Sequence, residues 1–191
     1  MRTWPDNFTA AVVVTEPEQV LELDAAAACR HHFTVPTRAG GLRHLLFTDL
    51  GLDDLAEKLS ALGLSSALMG CYARMDSALP EPGEQEASRG LLVGFTDCRS
   101  TEEYDAFNHW YDGTHAADVL RSGIYWSACR FRLQAGDAPE FFACYESSRP
   151  GPEALRALMA HYEQHPSPMD PICTIRHVWP FDRRDEQSPM E

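Results

Sequence analysis

The chain of 191 residues predicts an α+β fold, in which two ferredoxin-like β-α-β repeats in tandem form an intrachain, pseudo-dimeric α/β barrel. Three observations predict it. Strand and helix signatures alternate four times along the chain in β-α-β order. The segment LRHLLFTDL at 42–50 is paralleled by RGLLVGFTDC at 89–98, with FTD in both, so the pattern repeats internally. No glycine-rich phosphate loop follows any strand signature, which disfavours the doubly wound parallel sheet that the same alternation can build. Tandem β-α-β units make a split antiparallel sheet with both helices on one face, and the bare apolar face needs a partner that a second half can supply.

Taken in order, residues 8–14 (FTAAVVV) form a β-branched strand signature, and Pro17 suits the first turn of a helix running to Ala28. Residues 30–35 are extended before Pro36. A strand at 42–48, a helix at 52–62 with Leu52, Leu55, Leu59 and Leu62 at helical spacing, and a strand at 65–74 complete the first half. Residues 76–90 (DSALPEPGEQEASRG) lack apolar periodicity and mark an exposed linker. The second half repeats the order: strand 90–96, a helix opening at Thr101, strand 125–133, strand 140–145, helix 152–161 and strand 172–179. The domain boundaries expected are 1–80 for a diverged first half, 81–89 for the linker, 90–182 for the site-bearing half, and 183–191 for a polar, disordered tail.

Charge and cysteine usage narrow the function. The formal charge of −13, from 29 acidic against 16 basic residues, repels nucleic acid backbones and anionic membrane surfaces. No apolar run approaches a bilayer span and the amino terminus has no secretory apolar region, so a cytoplasmic location is expected. The six cysteines form no C-x-x-C pair, which favours buried reduced thiols over a zinc site or a disulfide framework.

The stretch 101–132, TEEYDAFNHWYDGTHAADVLRSGIYWSACRFR, concentrates the chemistry-bearing residues. Its segment Phe107 to His115 (FNHWYDGTH), then Asp118-Val-Leu, Gly123 and Arg130-Phe131, resembles the pattern of dimeric α/β-barrel proteins related to the EthD family. The strand Phe141 to Glu146, the helix from Pro152 and the late Arg176 strand are similar to that family's second unit, so the resemblance covers residues 89–181. It implies ferredoxin-like domains that pair around a central pocket, in a superfamily that includes cofactor-independent monooxygenases, cyclases, isomerases, dehydratases and decarboxylases, as well as haem enzymes. The amino-terminal half departs from the pattern, since LDDLAEKLSALGL at 52–64 has neither the Trp-Tyr-Asp nor the His.

On one helix, Tyr104, Asn108, Tyr111 and His115 share a face at spacings of four, three and four, while Phe107 and Trp110 fall on a neighbouring, core-facing one. Asp112 stands three residues before His115 and can bond a ring nitrogen, fixing the tautomer and raising the basicity of the imidazole. The competing account makes His115 a helix cap and Asp112 a solvated acid. Strand alternation groups Trp126, Ala128, Arg130 and Arg132 on one face and the more apolar Tyr125, Ser127, Cys129, Phe131 and Leu133 on the other. If the second set packs on the helices, Trp126 and Arg130 point into the pocket, where Arg130 binds an anion or an enolate; a surface ion pair is the alternative. His177, His44 and the pair His31-His32 are further pocket candidates, whereas His161 and His165 have metal-pair spacing but are read as surface because Pro166 ends their helix. Lys58 is the only lysine, which argues against Schiff-base chemistry.

The expectation from these residues is a cofactor-independent lyase, cyclase or isomerase. His115, Asp112 and Tyr111 would be catalytic, with Asn108, Trp126, Arg130, Tyr104 and His177 binding a small hydrophobic, aromatic or polyketide-like substrate. No metal, nucleic acid or membrane partner is expected, and a homodimer is left open. A cofactor-independent monooxygenase, a haem enzyme with a histidine axial ligand, and a non-catalytic binding module are the alternatives.

Overall fold

The computed structural model describes residues 4–15, 23, 29–76, 79 and 88–183. The predicted linker core and polar tail, and most of the first predicted helix, lie outside them. The chain divides into two compact units. The amino-terminal unit takes Asp6–Ala73, Leu133–Ala138 and Asp182–Glu191; the carboxy-terminal unit takes Met1–Pro5, Arg74–Arg132 and Pro139–Phe181. No described helix is long and apolar enough to cross a membrane.

In the amino-terminal unit, strands β1 (Asn7–Thr15), β2 (Cys29–Pro36), β3 (Leu42–Thr48) and β4 (Ser66–Arg74) form an antiparallel row in the order β4-β1-β3-β2. Helix α1 (Leu52–Ala61) turns Leu55 and Leu59 onto Ala11, Val13 and Leu46 of that sheet. Leu23, a described residue of the first predicted helix, is helical and buried in the same core. His44 is buried on this helix side, where its Nε2 meets the Thr15 hydroxyl at 2.7 Å and its Nδ1 meets His32 Nε2 at 2.7 Å.

In the carboxy-terminal unit the row is β8-β5-β7-β6, from β5 (Gly90–Cys98), β6 (Ser127–Gly136), β7 (Phe141–Ser147) and β8 (Cys173–Arg183). The helical layer comprises a 3-10 turn at Thr101–Glu103, α2 (Tyr104–Trp110), a π turn at Tyr111–His115, α3 (Ala116–Arg121) and the separate α4 (Gly151–Gln164). Gly123 ends the α3 segment with φ of 68°, donating its N–H to the Leu120 carbonyl, a left-handed helix cap that a side chain would strain.

The antiparallel registers place Gly94 opposite Ala143 and Arg130 opposite Ala143, so these three share one sheet face. That face carries the helices: Ala128, Ala143, Phe141 and Tyr145 pack with Phe107, Tyr111, Val119 and Leu158. The other face carries Phe95 stacked on Phe142, and Phe131 against Phe142 and Trp4.

The FTD match joins β3 to β5, and each of these strands leads into a helix and then a further strand. One expectation is corrected here. On β6 the faces are the reverse of those expected: Ala128 and Arg130 pack toward the helices, and the more apolar Phe131 takes the opposite face. Apolarity misled because the helices offer Arg130 aromatic faces and a carboxylate, a better setting for a guanidinium than for another phenylalanine.

Candidate functional site

The π turn organises the site. Ala116 donates its N–H to the Tyr111 carbonyl, five residues back, so one residue is inserted between α2 and α3. Asp-Gly-Thr at 112–114 are weak helix formers, which lowers the cost of breaking the α register there. The insertion rotates the turn, and the side chains of the predicted catalytic face separate into two groups.

The first group surrounds Arg130, whose side chain is 2% exposed. Its Nη1 donates to Asp112 Oδ1 at 2.7 Å and its Nη2 to Asn108 Oδ1 at 2.8 Å. The guanidinium carbon lies 4.2 Å from the Tyr111 ring centroid, 5.4 Å from Phe107 and 5.7 Å from Phe141. Charge-assisted bonds and ring faces together offset the desolvation of the cation. Tyr111 is buried, accepts a hydrogen bond from the Tyr145 hydroxyl at 3.3 Å, and has its phenol pushed up to about 12 by burial.

The second group surrounds His115. Its ring stacks on Trp110 at 5.3 Å and 24° and meets Tyr111 edge-on at 4.9 Å. Neither ring nitrogen hydrogen-bonds a described residue. Burial pulls its pKa down to about 4, with Asp118 opposing and Arg130 reinforcing the shift. At neutral pH the imidazole is therefore uncharged, with a lone pair available and basicity depressed.

The expected Asp112–His115 pair does not form; Asp112 is held by Arg130 instead, because the π turn swings it toward β6. Trp110, expected as core packing, is the flat partner of His115. Tyr104 sits apart, its hydroxyl on Glu140 and its ring beneath Arg132, 4.8 Å from the guanidinium carbon. Trp126 is half-buried beside the strand start, its backbone N–H donating to the Glu146 carbonyl at 3.0 Å. His177 stacks on Trp179 at 4.5 Å and packs edge-on to Phe95, on the sheet face away from Arg130.

Among the described residues, three buried polar atoms lack a hydrogen-bond partner: Tyr125 Oη, Trp126 Nε1 and Tyr162 Oη. Tyr125 and Tyr162 belong to the core beneath the helices, and burial holds both phenols in the protonated, donating form. Tyr145 and Tyr162 are not among the residues that the sequence pattern singles out. Alternation on β7 places Tyr145 with Phe141 and Ala143, a signal that was present; Tyr162 had only its place between two histidines. No group of three or more His, Cys, Asp or Glu among the described residues is arranged to hold a metal ion by itself.

No family model and no curated protein matches the chain. Solved structures do. A chlorite dismutase from Candidatus Nitrospira defluvii aligns with a TM-score of 0.59 and 12% identity, over 97% of this chain and 93% of that one. The same enzyme in complex with imidazole aligns with a TM-score of 0.57 and 13% identity over the same shares. A protein from Thermus thermophilus described as a novel haem-binding protein aligns with a TM-score of 0.56 and 12% identity, over 96% of each chain. At such identities the likeness shows a shared fold, of α+β class with an antiparallel sheet and helices. The expected cofactor-independent lyase, cyclase or isomerase is corrected by these neighbours, which are chlorite dismutases and a haem-binding protein. His115, with a pKa of about 4, is also not the near-neutral base that reading required.

Proposed function

We propose that this chain is a haem-binding protein in which His115 holds the iron. One observation carries the proposal. His115 presents an uncharged imidazole, packed against both Trp110 and Tyr111, with no hydrogen bond from either ring nitrogen to a described residue. A metal ligand needs that protonation state, since a protonated ring has no lone pair to give.

The neighbouring donors fit the same group. The orphaned hydroxyl of Tyr125 and the Trp126 indole N–H are buried donors that a ligand bearing acceptor groups would satisfy. Haem, when bound, supplies a redox-active iron with an exchangeable coordination position. Trp110 and Tyr111 orient the His115 ring, and Asp112 and Asn108 hold Arg130 as the permanent cation of the site. The chlorite dismutases among the neighbours extend the proposal to a haem enzyme. A tandem ferredoxin-like organisation, with a diverged half over 1–80, a linker at 81–89 and the site-bearing half over 90–182, belongs to the same reading.

Titration of the purified protein with ferric haem tests it. The expected result is a Soret band saturating at one haem per chain, with binding weakened at least about tenfold in His115→Ala, the scale that losing even a partner of a metal ligand reaches. No saturable band, or equal binding by wild type and variant, overturns the assignment.

A further inference from the structure

Cys98 closes β5 and Cys173 opens β8, neighbouring strands of the carboxy-terminal unit. Just beyond them, Arg99 donates its backbone N–H to the Ile172 carbonyl at 2.9 Å. The bond runs one way only, since the Ile172 N–H donates to Asp170 Oδ1 at 2.9 Å, and it sets 98 beside 173 in the place of a non-hydrogen-bonded antiparallel pair. Such pairs bring Cα atoms to about 4.5 Å, within the ~4.4–6.8 Å window that a disulfide spans. Both side chains pack on the same core, that of Tyr111 and Phe107, so both thiols emerge on one face. Neither is in a disulfide, both are only partly buried, and the Cys98 thiol donates to the Ser100 carbonyl at 3.1 Å.

We propose that Cys98 and Cys173 form a reversible disulfide, a redox modification site at the edge of the Arg130 and Tyr111 cluster. It stands independently of haem binding. The order of events follows from burial. Desolvation pushes the Cys173 thiol up to about 11, so at neutral pH it stays protonated and acts second. The Cys98 thiolate attacks glutathione disulfide, forming a mixed disulfide and expelling one glutathione thiolate. Cys173 then gives up its proton, attacks the Cys98 sulfur, and expels the second glutathione. Two protein thiols are oxidised by two electrons, and one glutathione disulfide is reduced to two glutathione molecules.

The consequence reaches the site because Cys173 lies within electrostatic range of both Tyr111 and Arg130. The new bond would also close a loop that contains the π turn, α3 and α4, restraining the unfolded chain. A second opposed pair supplies an internal control. Cys129 and Cys144 face each other directly across β6 and β7, but both are buried, and burial holds the Cys144 thiol well above its ordinary value. Proximity alone predicts that both pairs oxidise; proximity with access predicts only the first.

The test incubates the full-length chain with glutathione disulfide at pH 8, caps remaining thiols with N-ethylmaleimide under denaturing conditions, and maps peptides without reduction. The expected product is a Cys98–Cys173 linked peptide with Cys129 and Cys144 capped. A rise in Tm of about 5 °C, reversed by dithiothreitol, should accompany it. Cys98→Ser and Cys173→Ser should each abolish the link and the rise. A stable glutathione adduct at either residue without the link, or a link through Cys129 and Cys144 instead, overturns the proposal. The wild-type map decides this even if a variant fails to fold.

Discussion

Replacing Asp112 by alanine separates a structural role for this carboxylate from a catalytic one. Arg130 is 2% exposed, and Asp112 is its charged partner at 2.7 Å, with the neutral Asn108 carbonyl as the second acceptor. Asp112→Ala leaves a buried guanidinium with one neutral acceptor and three ring faces. Removing one partner of a buried ion pair costs about 3–5 kcal/mol, against about 0.5 kcal/mol for a surface pair. Asp112 is itself 24% exposed, so water can reach the vacated position and the lower end applies. The expected loss is about 3 kcal/mol, read as a lowered urea midpoint at unchanged m, or a fall in Tm of roughly 6–12 °C. Asp112→Asn keeps an acceptor at Oδ1 and should lose about 1 kcal/mol. Adding Arg130→Met to Asp112→Ala should recover part of the loss, since the stranded charge is gone. A loss below about 0.5 kcal/mol for Asp112→Ala would refute the claim that Asp112 anchors Arg130.

Other perturbations test other parts of the account. His115 has a folded pKa of about 4, below its unfolded value of about 6.5, so the unfolded chain binds the extra proton between those limits. Stability should therefore fall as pH drops from 6.5 to 4, by up to about 1.4 kcal/mol per unit, and His115→Gln should flatten that slope in urea titrations. Tyr125→Phe removes an orphaned buried hydroxyl and should stabilise the ligand-free protein by about 1 kcal/mol while weakening haem binding, measured by paired melts with and without haem. Gly90→Ala should unfold the carboxy-terminal unit, detected by circular dichroism, because the added methyl would lie 2.3 Å from the Arg149 carbonyl and 2.4 Å from the Gly151 nitrogen. Burial raises the carboxyl pKa of Glu146, which bonds Ser127 at 2.7 Å, so its contribution weakens as pH climbs through the folded pKa. Glu146→Gln should accordingly gain on wild type as pH rises above the ordinary carboxylate value, in the same melts.

Much of the scaffold was legible because strands and helices announce themselves by period. The spans expected at 42–48, 52–62 and 65–74 fall on β3, α1 and β4 almost residue for residue. The π turn was not legible, since α spacing from Tyr104 to His115 is self-consistent and only Gly113 within it hinted at a break. The missed insertion carried the site error with it. Asp112 and His115 share a face in an α-helix but not across an inserted residue, so the expected acid–base pair came apart into an Arg130 anchor and an isolated imidazole. The face of β6 was misjudged for a different reason: alternation gives two faces, but ranking them by apolarity cannot foresee three aromatic rings gathered around one arginine. The contact of His44 with Thr15 and His32 joins residues far apart in sequence, and pairing register alone brings them together.

The central claim is that the His115 imidazole, and not merely the apolar surroundings, holds the iron. His115→Gly leaves a ring-sized gap beside Trp110 and Tyr111 that exogenous imidazole can fill. The account predicts that haem bound to wild type shows a histidine-ligated spectrum, that His115→Gly loses it, and that millimolar imidazole restores it with saturation. A variant spectrum identical to wild type without imidazole would contradict the account.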